Sequence, residues 1–583
     1  VAGEPAFRLL PDAEEARTAV AALAERGEVV GLDLETTGLD PVRHEGRLLQ
    51  LAPAEGPVVI VDLFSTGGFG PMQEPLQRLR AVAHNATFDM GFLHRAGVRL
   101  TTDCTLLANH VLTGTREKLS TLAEKRLGLP LDKAEQKSDW TGELSEEQLR
   151  YAALDAKAVQ RLHDVLWVEL AERGCTRTYE LAREAQPAVV AMHLVGMPFD
   201  AAVQRELVDR LTAQREQLEP ALMEALAGRN PSSGPQLADW LAWALGDRVK
   251  DWSKTGKGQL STTADALKKG AALLPEDKAW VILDLLLPFK VAEKQLSTYG
   301  IGLAEHIHTL TGRIHAKFNL AGAITGRMSS SGPSMQNIPR DPAFRGLFKA
   351  PEGRRFVIGD YSQMELRVAA ILAGEEALLR AYAEGQDTHV KSAAMLLGKA
   401  PEEVTKAERQ LAKAVNFGML FGQGAKGLQA YAASNYGVEM TLAEAATYKE
   451  QWFAAYPAVG RWQRKTDRDA KKALSVCTPA GRERRWSRDG YKLTEAVNTP
   501  VQGGAAEMTL AALGHLMRRL DGLDAVPVAV VHDELIVEAS EADAHKVAGI
   551  LEASMVAGML DVFPNASTYG LVEAHVGTSW ADK

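Results

Sequence analysis

Two short hydrophobic runs in the second half of the chain each deliver a carboxylate into a polar break, and this pairing constrains the fold more than any other feature. Residues 355–358 (RFVI) predict a strand rising out of a core, with Asp360 where it ends. The chain continues there as Gly359-Asp360-Tyr361-Ser362-Gln363-Met364-Glu365-Leu366-Arg367. Residues 526–531 (VPVAVV) predict a second strand, followed by His532 and the carboxylate pair Asp533 and Glu534. A carboxylate in such surroundings is costly to bury alone and needs a cation or a donor. Two strands that each end in Asp can hold a pair of divalent metals, an arrangement suited to phosphoryl transfer.

With 583 residues the chain is long enough for several cores and too long for one. No run of eighteen apolar residues occurs, and the start (VAGEPAFRLL) lacks a basic head with an apolar core, so neither a membrane span nor a secretory signal is expected. Cys104, Cys175 and Cys477 lie far apart, which fits a reducing compartment and excludes a disulfide scaffold. The net charge of −9 averages over faces. Residues 461–485 carry nine Lys or Arg against three acids, and read equally as a solvated helical hairpin or as a surface for a phosphate backbone. Three regions separate. Residues 1–175 alternate β-rich runs (VVGLDLE, VVIVDLF, AVAH) with helical stretches and read as α/β. Residues 176–318 are mostly helical, with a helix over 177–195 and breaks at 230–235 and 252–258. Residues 319–583 mix strands with long helices, an α+β pattern.

Within residues 401–422, Arg409, Lys413, Phe417 and Phe421 recur every fourth position and share one helical face. Twelve residues of helix rise about 18 Å, enough to line a triphosphate with cations and a base with aromatics. In isolation the same stripe fits an amphipathic helix with core aromatics and solvated cations. Opposite two Asp-bearing strands, packing alone is the weaker account. Near the N-terminus, VVGLDLETTGLD places Asp33 and Glu35 on one side of a strand. Asn85 and Asp89 are four apart, as are Tyr151 and Asp155, one helical turn in each case. Each pair alone could be surface or capping residues. Four acids from a strand and two helices can together bind two Mg²⁺ or Mn²⁺ ions, with Tyr151 orienting an attacking water.

Asp360 to Arg367, the Arg409–Lys413–Phe417 helix and Val531-His532-Asp533-Glu534 match, in order and spacing, the three motifs of DNA polymerase family A, the bacterial DNA polymerase I family. Thr325-Gly326-Arg327-Met328-Ser329-Ser330, Gln336-Asn337-Ile338-Pro339 and Asn498-Thr499-Pro500-Val501-Gln502-Gly503 extend the resemblance over nearly the whole chain. It implies a right-handed polymerase over residues 176–583, with thumb at about 201–318, palm at about 319–370 and 495–583, and fingers at about 371–494. Asp360 and Asp533, with the Tyr361 carbonyl, would hold two Mg²⁺. Arg409, Lys413 and His389 would contact the phosphates, and Lys413 would protonate pyrophosphate. Tyr361, Gln363, Phe417 and Phe421 would complete the nucleotide site. Arg327, Asn337, Asn498, Gln502, His532 and Glu534 would meet primer and template. Glu365 would block a 2′-hydroxyl, although Phe421 stands where the family usually has a Tyr whose hydroxyl reaches toward that glutamate.

The N-terminal acids resemble the proofreading 3′–5′ exonuclease of the DEDD superfamily, Tyr subtype, which implies an RNase H-like domain over residues 1–175. Thr36 and Asn85 would seat a single-stranded 3′ end there. In the thumb, Lys254, Lys257, Lys290 and Lys294 are candidate phosphate contacts, which position DNA without specifying sequence. The resemblance implies primer–template DNA and deoxynucleoside triphosphates as partners, no membrane, and a monomer open to replication accessory proteins. It implies a cytoplasmic, nucleoid-associated enzyme of a bacterium or phage, with an organellar origin left open. No 5′ nuclease domain precedes the match, so no primer removal is expected. The alternatives are an inactive exonuclease domain or substantial use of RNA templates.

Overall fold

The computed structural model describes residues 5–132, 135 and 138–583. Its first sheet has six strands in the order Phe7–Leu10, Val58–Asp62, Gly46–Ala52, Val29–Thr36, Arg80–Ala83, Asp103–Cys104. The three central-left strands pair antiparallel, and the strands at either side join parallel, giving the expected RNase H-like mixed sheet. Gly46–Ala52 (GRLLQLA) is buried along its entire length, so it shows no alternation in sequence and gave no strand signal. Helix Glu146–Glu172, opened by a capping box between Ser145 and Gln148, lies against strand Val29–Thr36. A Cβ on Gly31 would sit 2.3 Å from the Ala156 carbonyl oxygen, so strand and helix meet backbone to backbone. That close approach brings Asp155 of the helix beside Asp33 of the strand.

Helix Thr176–Val195 ends at Gly196, whose φ of 68° only glycine adopts readily. It contacts both the helix Thr87–Arg95 and the long helix Leu493–Arg519, so one apolar core runs through both halves of the molecule. Helices Ala201–Ala225 and Leu287–Gln295 form an arm whose tip has its own core around Trp240, Trp252 and Phe289. The break expected at 230–235 is shorter than predicted, since Gly234 and Pro235 already begin helix Gly234–Leu245.

The second main sheet is antiparallel, in the order Ala525–Val531, Glu534–Ser540, Arg354–Tyr361, Val572–Gly577. Helix Ala544–Val562 lies directly behind it. A Cβ on Gly359 would stand 2.8 Å from Met555 Sδ, so this glycine lets the Asp360 strand settle onto the helix. Residues 376–473 add a helical extension with a core around Leu378, Trp452 and Tyr456.

The basic stretch 461–485 is not uniformly solvated. Its first part is helix Pro457–Ala473, with exposed cations, but the rest is a hairpin of Ser475–Cys477 and Glu483–Arg485. The hairpin turn enters the N-terminal half, where buried Arg482 donates to the His110 carbonyl at 3.3 Å. A charged side chain is drawn inside because a carbonyl acceptor waits there, which composition cannot reveal.

Gly558 of helix Ala544–Val562 would place a Cβ 2.5 Å from Met508 O and 2.7 Å from Ala512 N. Both neighbours are backbone of helix Leu493–Arg519 and cannot rotate away. Gly558→Ala should therefore cost about 1–3 kcal/mol, read as a lowered midpoint in urea or thermal unfolding.

Candidate active sites

Asp360 is the penultimate residue of strand Arg354–Tyr361, opposite Glu534 on one side and Glu573 on the other. Asp533 is not at a strand end. It lies with His532 in the two-residue turn that joins Val531 to Glu534, and His532 adopts a φ of 59°. Tight hairpins require such positive φ, and His tolerates it better than most side chains. The Tyr361 N–H donates to Asp533 O at 3.3 Å, which fixes the turn beside the Asp360 strand. Burial first, then the neighbouring Asp360 charge, pushes the Asp533 carboxyl up to about 6, with Arg340 and Lys583 opposing. The Tyr361 ring is buried and its hydroxyl donates to Met555 O at 2.7 Å, leaving its main chain at the site.

Glu534 does not face a DNA groove, contrary to expectation. Its side chain is 4% exposed, paired with Arg345 at 3.2 Å and Lys583 at 2.6 Å, and accepts from Trp580 Nε1. As the first residue of a strand interior to the sheet, it turns inward, where Arg345 stacks on the Trp580 ring.

A cavity of about 610 Å³ opens beside Asp533. Arg327, Gln336, Arg340, Gln363, Glu365, Phe417, Phe421, Tyr431, Gln502 and His532 line it. The stripe helix, Lys406–Leu420, starts with a capping box of Thr405 and Glu408, and Phe421 follows its last turn. Lys413 and Arg409 continue the same face toward its start. The Lys413 ammonium is lowered by burial and by the charges of Arg340 and Arg409, with Asp533 opposing. Arg409 Nε donates to Asp387 at 2.8 Å, which anchors the guanidinium through one of its donors. His389 is buried and burial lowers it to about 4, so it is neutral near pH 7. Asn416 Oδ1 accepts from Trp452 Nε1 at 2.7 Å, so its amide nitrogen faces His389 Nδ1 at 2.9 Å and leaves the proton on Nε2.

Glu365 is ion-paired with Arg327, which opposes the upward push of burial on its carboxyl. Gln363 is left-handed at φ 52°, and its side-chain oxygen accepts from Thr388 and Tyr382. Asn498 lies one helical turn before Gln502, with a buried Oδ1 that has no hydrogen-bond partner among the described residues. The Asn337 carbonyl accepts from Tyr299 at 2.7 Å while its side chain is exposed. His532 Nε2 lies 3.1 Å from Gln336 O. In the arm Lys254, Lys257 and Lys294 are exposed, whereas Lys290 is half-buried and its ammonium is lowered by that burial. Arg340 and Tyr431 were not singled out from sequence. Arg340 directly follows the Gln336–Pro339 motif, and its position there was the available signal.

The N-terminal cavity, about 730 Å³, is lined by Asp33, Glu35, Thr36, Asn85, Tyr151 and Asp155, together with Leu39, Phe88, Arg116, Lys118 and Trp140. The Tyr151 phenol is raised by burial and by the charges of Asp155, Glu35 and Asp33, which places all three acids around it. Asp89 stands behind the cavity, 2% exposed, with burial raising it to about 8. Asn85 is not on a helical turn with Asp89. It precedes helix Thr87–Arg95 in a left-handed conformation, φ 65°, that Asn accommodates. Thr36 Oγ1 donates to Gly38 O at 2.8 Å and shapes the rim, from which Leu39 protrudes 74% exposed. Sequence reasoning missed Leu39, Lys118 and Trp140. Among the described residues no three His, Cys, Asp or Glu side chains converge tightly enough to hold a metal as they stand. No described helix is long and apolar enough to cross a membrane.

A family model described as DNA polymerase family A matches residues 201–582, and one described as 3′–5′ exonuclease matches residues 8–171. DNA polymerase I of Aquifex aeolicus is 36% identical over 91% of this chain and 92% of its own length. DNA polymerase I of Pseudomonas aeruginosa is 33% identical over 95% of this chain, which spans only 64% of that protein. Among solved structures, the POL domain of Pol1 from M. smegmatis, in complex with DNA primer-template and dNTP, superposes with a TM-score of 0.84 at 26% identity, covering 99% of both chains. With both sheets, both cavities and both family matches in agreement, the chain belongs to DNA polymerase family A and is a DNA polymerase with a 3′–5′ exonuclease domain.

Proposed function

We propose that Asp360 and Asp533 carry out deoxynucleotide addition to a primer 3′-hydroxyl, and that Asp33, Glu35, Asp89 and Asp155 carry out 3′–5′ removal of mispaired ends. The observation that supports this reading best is the half-buried Asp533 carboxyl, held beside Asp360 at the mouth of the nucleotide cavity. Primer–template DNA and a deoxynucleoside triphosphate, named with the M. smegmatis neighbour, are the partners we assign to this chain. The domain limits we assign are exonuclease over 1–175 and polymerase over 176–583.

The donor set fits divalent cations. Lys583 Nζ lies 2.5 Å from Asp360 and 2.6 Å from Glu534, standing where positive charge is wanted. All-oxygen ligands suit Mg²⁺, which keeps waters and accepts one or two carboxylates, with Mn²⁺ as substitute. Asp360, Asp533 and the Tyr361 carbonyl would hold two ions, and the four N-terminal acids another two. When bound, such ions acidify the 3′-hydroxyl or water and neutralise phosphate oxygens. The chain supplies the rest. Lys413 and Arg409 neutralise the triphosphate, and Lys413, its ammonium lowered by burial, can pass a proton to pyrophosphate. Neutral His389 donates from Nε2. Phe417 and Phe421 wall the base and sugar, and Glu365 occupies the space a 2′-hydroxyl would need. Arg327, Gln502 and His532 reach minor-groove acceptors common to all correct pairs. Tyr151 orients the attacking water in the exonuclease, while Leu39 wedges against the terminal base.

The two centres should separate by mutation. Asp33→Ala/Glu35→Ala should abolish degradation of a single-stranded 3′ end with Mg²⁺ while primer extension persists, and Asp360→Asn should do the reverse. An inert wild-type nuclease would refute proofreading. The metal assignment has a pH signature. Asp533 titrates near 6 in the folded chain against an ordinary 3.8, so the folded state binds the extra proton between these values. Stability without metal therefore falls as pH rises from 3.8 through about 6 and stays low above. Asp533→Asn should melt higher than wild type at pH 8 in chelator and equally below pH 4. Added Mg²⁺ should raise the wild-type melting temperature more than that of the variant.

A further inference from the structure

The gate at Glu365 has a structural gap, because the Phe421 ring carries no hydroxyl to hold the carboxylate in place. In the structure Arg327 holds it instead, and Glu365 is only 15% exposed. Arg327 is also the side chain assigned to the primer terminus. When its guanidinium turns to a base edge, a buried carboxylate loses its donor, and such a group is expensive to leave unmet.

A replacement stands on the same wall. Tyr431, on helix Ala425–Tyr436, lines the cavity with Glu365, Phe417 and Phe421. Its ring meets Phe421 edge-on with centroids 6.3 Å apart, and meets Tyr436 at 5.7 Å. Burial raises both phenols, and the charge of Glu365 raises each further.

We propose that Tyr431 is a specificity-determining residue for sugar selection, replacing the hydroxyl absent from Phe421. Packed against Tyr436, its O–H donates to Glu365 when Arg327 moves to the primer end and holds the carboxylate against C2′ of the incoming nucleotide. Sugar selection then depends on a correctly placed primer terminus, because that contact is what hands Glu365 from cation to phenol. This rests on the reading of Glu365 as the gate.

Single-nucleotide insertion on a primed template, with dNTP and rNTP in parallel, gives the ratio of their kcat/KM values. Tyr431→Phe keeps the ring and removes one hydroxyl. It should lower the deoxy-to-ribo ratio about tenfold, the worth of one hydrogen bond, because ribonucleotide efficiency rises. Tyr431→Phe/Phe421→Tyr should recover the ratio, a rescue that a packing role cannot produce. Glu365→Ala distinguishes the two readings. If it lowers the ratio and Tyr431→Phe does not, the phenol proposal falls and the gate stands. If neither variant changes the ratio, the gate itself falls and the proposal with it. Equal loss of dNTP and rNTP efficiency in Tyr431→Phe would mark a packing role and also overturn the proposal.

Discussion

The forced proximity of Asp360 and Asp533 is the interaction on which the polymerase half depends. Two carboxylates repel, and partial burial weakens the screening that water would give them. The chain holds them together through backbone: a two-residue turn with His532 left-handed, and a Tyr361 N–H fixed on Asp533 O at 3.3 Å. Gly359 seats the strand against Met555 from behind. None of these contacts relieves the repulsion. The cost is offset by cations, Arg340 and Lys583 in the structure and divalent metal in the proposed reaction.

The exonuclease half solves the same problem with a different skeleton. Glycine again supplies the approach, since Gly31 lets helix Glu146–Glu172 touch the central strand and puts Asp155 next to Asp33. Tyr151, one turn earlier, then lies in the field of three carboxylates. Its phenol is kept firmly protonated, which suits orienting a water and excludes acting as a base near neutral pH.

Much of this was legible in sequence because it is local. The i, i+4 stripe from Arg409 to Phe421, the alternation at Asp33 and Glu35 and the strand before Asp360 depend on neighbours along the chain. What failed is tertiary. Glu534 sits beside Asp533 in sequence, yet the start of a new strand turns it inward onto Arg345 and Trp580. Asn85 has helical spacing to Asp89 but precedes the helix. Arg482 reads as one cation among nine, and only the folded chain shows its carbonyl acceptor. Tyr431 lies ten residues beyond Phe421 on another helix, and no periodicity connects it to Glu365.

The two halves are also joined more firmly than a linker would join them. Helix Thr176–Val195 contributes to the single core that spans both sheets. The Arg482 side chain lies between His110 of the exonuclease side and Gly326, where a Cβ would come 3.0 Å from its Nε. Gly326 immediately precedes Arg327, the residue assigned to the primer terminus and paired with Glu365. A guanidinium buried at that junction cannot shift without losing its carbonyl acceptor, so the hairpin ties the two halves together at this point.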